Sequence, residues 1–100
     1  STYVYWAEEG AGRIARAKLA GGTVEVIATG QNSPAFVAVD GVHVYWTNYA
    51  ADGTVMRAPI DGGAAVTLAA KQDKPYAVAL KDGYVYWSNF DGGQVMRVAK

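Results

Sequence analysis

The sequence predicts an all-β fold, because one strand pattern occurs three times along its 100 residues. The segment Val44-Tyr45-Trp46 is matched by Val4-Tyr5-Trp6 before it and by Val85-Tyr86-Trp87 after it, so the tryptophans stand 40 and 41 residues apart. A short apolar segment that ends in arginine follows each copy: Ile14-Ala15-Arg16, Val55-Met56-Arg57 and Val95-Met96-Arg97. A repeat of this length built from short strands is typical of β-propeller blades.

Glycine-containing turns divide the chain into short apolar segments, each about the length of one strand. The ten predicted strands cover residues 2–7, 13–19, 23–29, 35–39, 43–48, 54–60, 65–69, 76–80, 84–89 and 94–99. The alanine-rich residues 12–20 are the nearest candidate for a helix, but their match to the other segments that end in arginine favours a strand. The prediction therefore contains no helix.

The repeat also predicts where each strand lies in a four-stranded blade, with strands lettered A to D from the ring axis outwards. Residues 35–39 and 76–80 are rich in alanine and are predicted as strand A, because blades crowd together at the axis. The Tyr-Trp strands are predicted as strand B, since a sheet covered on both faces is continuously apolar. The strands that end in arginine become C, and residues 23–29 and 65–69 become D.

The chain is thus predicted to be a single partial propeller domain, residues 1–100, that holds about 2.5 blades. Residues 1–34 supply strands B, C and D, residues 35–75 supply all four strands, and residues 76–100 supply A, B and C.

Two kinds of connector alternate along this meander. Tight turns are expected at residues 20–22, 39–41, 61–63 and 81–83, and longer polar connectors at 8–12, 30–34, 48–53, 70–75 and 89–93. Alternate loops of a meander lie at the same end of the sheet. The longer connectors therefore share one end, called here the B–C face, and the tight turns share the opposite end, the A–B face.

Long polar loops are the usual place for binding residues, so the B–C face is the predicted binding face. The candidate binding residues on it are Glu8, Glu9, Asn32, Tyr49, Asp52, Lys74, Tyr76, Phe90 and Asp91.

Composition excludes several classes of partner. Nine basic residues balance nine acidic ones, so no net charge favours nucleic acid or an anionic membrane. The sequence has no run of 18 apolar residues and no signal-peptide pattern, and no membrane segment is expected. It contains no cysteine, which excludes disulfides and thiolate zinc sites.

The segment Val44-Tyr45-Trp46-Thr47-Asn48, followed by Val55-Met56-Arg57, resembles the YWTD-type repeat of six-bladed β-propellers, especially the alanine- and glycine-rich bacterial relatives. The resemblance covers nearly the whole chain. The Asp of the motif falls on Asn48, Asn89 and Glu8, so this sequence departs from the motif at that position. Because family propellers are mostly extracellular binding modules, the resemblance implies an extracellular or periplasmic binding protein.

Catalytic motifs are missing from the sequence, which has no Gly-x-Ser-x-Gly elbow, phosphate loop or HExxH. His43 is the one histidine, and we interpret it as structural or exposed because no partner recurs beside it. The carboxylates Glu8, Glu9, Asp52 and Asp91 could form an acid/base pair or a calcium site, but without Asp-x-Asp spacing ordinary solvation is favoured. The sequence predicts no metal, no cofactor and no enzymatic activity.

Two further residue sets have a structural and a functional interpretation. The arginines recur in every repeat, which favours a structural role such as a stem between blades with its guanidinium on a carbonyl. Phe36 and Tyr76 begin A strands at the B–C face, where they could stack a sugar or a side chain, although lining the axis is favoured.

Three functions remain open. The favoured one is a binding module for a protein or glycan; the others are a natural or engineered fragment with a purely structural, self-assembling role, and an enzyme similar to propeller lyases and lactonases with a metal at the channel mouth.

The sequence further predicts that the chain associates with itself. Propellers are stable because the ring closes, and an open array exposes the apolar faces of its end blades. A homodimer that closes a six-bladed ring is favoured, and a trimer is the alternative.

Overall fold

The computed structural model describes residues 2–100, and this part of the chain forms ten strands and no helix. The strands are β1 (Tyr3–Glu8), β2 (Arg13–Lys18), β3 (Glu25–Ala28), β4 (Pro34–Val39), β5 (His43–Asn48), β6 (Gly53–Pro59), β7 (Val66–Gln72), β8 (Pro75–Lys81), β9 (Tyr84–Asn89) and β10 (Gln94–Ala99). All ten predicted strands are present, and their ends differ from the prediction by at most three residues.

The strands form three antiparallel sheets, β1-β2-β3, β4-β5-β6-β7 and β8-β9-β10, called here the first, second and third blades. This order confirms the predicted sequence of strands: B-C-D, then a complete A-B-C-D blade, then A-B-C. The fold is therefore a β-propeller fragment.

The hydrophobic core lies between blades and not within one. Trp46 is fully buried and packs in a cluster with Ile14 of the first blade. Its neighbour Tyr45 points to the opposite face of the sheet, because side chains alternate along a strand, and packs with Val85 and Trp87 of the third blade. The second blade is thus covered on both faces, which explains why its B strand carries no polar face.

The recurring arginine has the predicted structural role in the first blade. Arg16 is buried, and its Nη1 donates a hydrogen bond of 2.9 Å to the main-chain carbonyl of Ile60 in the second blade. Its Nε donates to the Glu25 carboxylate at 2.8 Å. The guanidinium lies 4.1 Å from the ring centroid of Tyr3, where a cation–π contact adds to the hydrogen bonds.

At the A–B face, Asp40 joins the second and third blades. Its carboxylate accepts hydrogen bonds from the main-chain N–H groups of Val42 and His43, and it lies 3.0 Å from Lys100 Nζ. Burial by itself would raise the pKa of Asp40, but these bonds outweigh it and hold that pKa well below its usual range. Burial and the hydrogen bond to Asp40 raise the pKa of Tyr45 to about 12.

The expected difference in loop length holds for the A-to-B turns, where 40–42 and 82–83 hold three and two residues, but it is wrong for the C-to-D connectors. Connectors 19–24 and 60–65 on the A–B face hold six residues each, whereas 9–12, 49–52 and 90–93 on the B–C face hold four. The predicted Gly-Gly turns do form, as Gly21 N–H donates to the Lys18 carbonyl at 2.9 Å. The outer strand nevertheless begins only several residues after each turn, and this lengthens the connector.

Gly53, at the start of β6, offers a test of the packing between blades. A Cβ at Gly53 would collide with the Asn48 carbonyl oxygen and lie 2.5 Å from Pro75 Cδ of the third blade, whereas one at Gly41 would meet nothing within 4 Å. We expect Gly53→Ala to lower the free energy of unfolding by about 1–3 kcal/mol, and Gly41→Ala to leave it within about 0.5 kcal/mol. Urea titration measures both, and equal effects would contradict the packing described.

Candidate functional site

Four aromatic rings converge on the B–C face, and they are called here the aromatic cluster. Tyr49 follows β5, Phe90 follows β9, and Phe36 and Tyr76 lie near the starts of β4 and β8. Tyr76 is central: its ring centroid lies 4.6 Å from that of Phe36, 5.5 Å from Tyr49 and 6.3 Å from Phe90. All these contacts are edge-to-face, the arrangement that the ring quadrupoles favour.

Main-chain hydrogen bonds between blades hold the rings in place. Lys74, which links the second blade to the third, donates its N–H to the Ala50 carbonyl at 2.9 Å and accepts the N–H of Phe90 at 2.9 Å. The Thr47 hydroxyl donates to the Tyr76 carbonyl at 2.6 Å and so ties β5 to β8. The cluster therefore rests on strand ends and bonded loops, which position side chains more precisely than free loops do.

The backbone before each repeated proline is left-handed. Ser33 has φ of 54° and precedes Pro34, and Lys74 has φ of 52° and precedes Pro75. This conformation is uncommon for residues other than glycine. It recurs at one repeat position, so it belongs to the repeat.

A cavity of about 330 Å³ opens beside the aromatic cluster. Its lining residues are Glu9, Ala35, Tyr49, Tyr76 and Phe90. Glu9 comes from the first blade, Ala35 and Tyr49 from the second, and Tyr76 and Phe90 from the third, so all three blades are needed to form it. Phe90 and Tyr76 are 63% and 42% exposed, which leaves an apolar surface open to a partner.

Charged groups border the cavity. Glu9 is exposed, and Lys74 Nζ lies 3.4 Å from the Asp91 carboxylate and 5.9 Å from the Tyr49 ring centroid. Such an exposed ion pair contributes little to stability. Its importance here is that it supplies one charge of each sign at the rim of an apolar site.

The structure brings together six of the nine candidate residues. Glu9, Tyr49, Tyr76 and Phe90 line the cavity, and Lys74, which pairs with Asp91, lies 5.9 Å from the Tyr49 ring. Asn32 and Asp52 are exposed on the same face but do not line the cavity. Ala35 was not predicted as a site residue, because its small side chain gives no signal by itself. Phe36 was predicted to line the axis, with stacking on a ligand as the alternative.

The ninth candidate, Glu8, is held by its own neighbours. Its carboxylate accepts hydrogen bonds from Trp6 Nε1 at 2.9 Å and from Arg13 Nε at 2.8 Å. The bond from Trp6, followed by that from Arg13, lowers the pKa of Glu8. Glu8 therefore keeps its charge and fixes an indole ring of the open first blade.

Two glutamines that were not predicted from the sequence make equivalent links between blades. Gln31 Oε1, from the first blade, accepts hydrogen bonds from Trp46 Nε1 at 3.0 Å and from Asn48 Nδ2 at 2.9 Å. Gln72 of the second blade accepts from Trp87 Nε1 at 3.3 Å and from Asn89 Nδ2 at 3.0 Å. Each glutamine precedes its tryptophan by 15 residues, a repeat signal that could have identified the pair.

Within residues 2–100, no three His, Cys, Asp or Glu side chains are grouped so as to hold a metal ion. That part of the chain also has no helix long and apolar enough to cross a membrane.

Comparisons with known proteins agree with the fold. A chain of the solved structure titled "Crystal structure of Nidogen/Laminin Complex" is similar to 97% of this chain, with a TM-score of 0.67 and 15% sequence identity. The match covers 55% of that chain, so this protein spans little more than half of its length. At such low identity the similarity supports the propeller-type fold alone. No family model matches the sequence, and no curated protein does either.

The glutamine links provide a matched pair of variants. In Gln31→Leu the buried Trp46 N–H loses its acceptor, whereas in Gln72→Leu the Trp87 N–H keeps Asn89 Oδ1 at 3.1 Å. Asn89 Nδ2, which is also buried, loses its acceptor in Gln72→Leu, so each variant leaves one buried donor unpaired. We expect each variant to lower the free energy of unfolding by about 1–3 kcal/mol, the cost of an unpaired buried donor. Urea unfolding followed by tryptophan fluorescence compares them. A loss below about 0.5 kcal/mol for either variant would contradict the assignment.

Proposed function

We propose that this chain is a non-enzymatic binding module that recognises a segment of another protein on its B–C face. The observation that carries the proposal is the convergence of four aromatic rings from two blades beside an open cavity. The module is completed by self-association of partial propellers, and its repeats are relatives of the bacterial YWTD-type repeat.

The composition of the site favours a protein partner over other ligands. Protein interfaces combine an apolar centre rich in Tyr and Phe with a polar rim, and Tyr76 and Phe90 with Glu9, Lys74 and Asp91 have this arrangement. The cavity of about 330 Å³ is at the small end of ligand sites, a size that suits one or two side chains of a docked segment.

The fold comparison adds support of a weaker kind. The similar structure comes from a complex between two proteins, nidogen and laminin, by its title. A propeller-type fold with a side-chain-sized cavity at one end suits the same kind of recognition here. Because a fold does not determine function, the test must be made on the aromatic residues themselves.

Self-association is supported by the two open ends of the array. Repeat proteins need polar terminal repeats for solubility, and here Val4 on the first blade and Val95 on the third are 48% and 78% exposed. A homodimer that closes a six-bladed ring is the favoured assembly, and a trimer is the alternative. Light scattering should give a mass near twice the 10.6 kDa of one chain; a folded species at 10.6 kDa would contradict this part of the proposal.

The binding proposal is tested with peptides selected from a random peptide display library on the immobilised protein. We expect Tyr76→Ala and Phe90→Ala each to lower the affinity for the selected peptide by about tenfold or more, because central aromatic residues dominate interface energies. Val42→Ala is the matched control, since Val42 is 63% exposed like Phe90 but lies on the A–B face.

Two outcomes would contradict the proposal. One is a selected peptide whose affinity falls with Val42→Ala and not with the aromatic variants, which would move the site to the A–B face. The other is an absence of selected peptides together with specific binding on a glycan array, which would replace the protein partner with a carbohydrate.

A further inference from the structure

The third blade exposes a residue whose counterparts are buried. Ile14, Val55 and Val95 occupy one repeat position, because they pair with Ala7, Thr47 and Ser88, the residues that follow the three tryptophans. Ile14 and Val55 are 0% exposed, since each is covered by the following blade, whereas Val95 is 78% exposed. In the first two blades the following blade therefore packs over this position. No following blade packs over Val95 of the third blade.

The first blade has an exposed apolar residue on the opposite face, where a preceding blade would pack. Val4, Val44 and Val85 also share a repeat position, two residues before each tryptophan. Val44 and Val85 are 0% exposed because the preceding blade covers them, but Val4 is 48% exposed. The two ends of the array thus carry the two halves of the interface that occurs twice within the chain.

Within the chain these halves pack directly on each other. Ile14 belongs to one buried cluster with Val44 and Trp46. Transferred to the open ends, this contact would place Val95 against Val4 and Trp6, the residues at the equivalent repeat positions. The first blade of a second copy is the surface that has both residues in the required arrangement.

The polar part of the interface is already formed on the third blade. Arg16 lies over the Tyr3 ring at 4.1 Å, donates to the Tyr5 hydroxyl at 3.4 Å and then reaches the carbonyl of the next blade. Arg97 lies over the Tyr84 ring at 4.2 Å and donates to the Tyr86 hydroxyl at 3.4 Å. The Arg97 guanidinium thus keeps the two contacts with tyrosines, but it lacks the carbonyl of a following blade and the strand-D carboxylate that Glu25 supplies to Arg16.

The first blade offers that carbonyl. The carbonyl that Arg16 reaches belongs to Ile60, three residues after Arg57, and the equivalent residue of the first blade is Leu19, three after Arg16. Leu19 N–H donates to the Thr2 carbonyl at 2.9 Å, and Ile60 N–H donates to the Val42 carbonyl at 3.0 Å. The two residues therefore have the same main-chain hydrogen bond in their blades. Leu19 is 67% exposed and lines a cavity of about 420 Å³.

We infer that chains join head to tail, with the third blade of one copy on the first blade of another and Arg97 donating to the Leu19 carbonyl of that copy. The inference rests on the proposed self-association and specifies its register. Such an interface joins two different surfaces, and it closes a ring when the rotation between copies allows it. The junction lacks the strand D that supplies Ile27 within the chain, so we expect it to be weaker than the interfaces between blades of one chain.

Cysteine cross-linking tests the register, because the sequence has no native cysteine. The variants Val95→Cys and Val4→Cys are refolded together and treated with a short bis-maleimide reagent. Head-to-tail contact predicts cross-linked dimers in the mixture and none with either variant alone. A single chain with Ile14→Cys and Val44→Cys serves as the positive control when the reagent is present during refolding, because these positions pack together within the chain and are 0% exposed once it has folded.

The outcomes separate the register from self-association. Cross-linking of Val95→Cys alone would indicate contact between two third blades and overturn the register, while self-association would stand. A scattering mass of 10.6 kDa for the native chain would contradict both the head-to-tail register and self-association. Cross-linking in the mixture of the two variants, and in neither variant by itself, would support both the register and self-association.

Arg97→Met tests the guanidinium, because methionine keeps an apolar stem and removes every donor. We expect the dissociation constant of the assembly to rise at least about tenfold, with unchanged circular dichroism of the isolated chain. Lys81→Met, an exposed cation on the same blade, is the matched control. Equal dissociation constants for the two variants would overturn the role of Arg97.

Discussion

Each sheet of this protein is apolar on both faces, and the need to cover both faces governs the rest of the structure. The alternation of Tyr45 and Trp46 sends one large ring towards each neighbouring blade, so a blade is stabilised from both sides and not from within. Full burial of a valine or isoleucine side chain in these clusters contributes about 1.5–3 kcal/mol to stability. The same requirement explains why residues that are fully buried in the second blade become exposed at the ends of the array.

The fold could be predicted from the sequence because the same information is given three times. The Tyr-Trp strands and the segments that end in arginine account for six of the ten strands, and the turns between them separate the other four. Loop length was predicted less well, since the Gly-Gly turns form as expected but the start of β3 at Glu25 depends on pairing with Arg16. That pairing is a tertiary feature, and local turn chemistry does not reveal it.

The site could be predicted only in part. The aromatic and charged residues of the B–C face were found because they follow strand B or precede strand A. The sequence gives no measure of how far each side chain reaches towards the axis, so Asn32 and Asp52 could not be told apart from Tyr49 and Phe90. Gln31 was missed because a polar residue in a loop has an ordinary explanation, and its bond to the Trp46 indole requires knowledge of which blades are adjacent.

The cavity lining comes from only two positions of the repeat. Glu9, Tyr49 and Phe90 each stand three residues after a tryptophan, while Ala35 and Tyr76 each follow a repeated proline. Neither position belongs to the clusters that hold the blades together. Acidic, aromatic and small side chains are therefore interchangeable there without cost to the interior, and a change of ligand could evolve by point substitutions at two sites per blade while the scaffold stays constant.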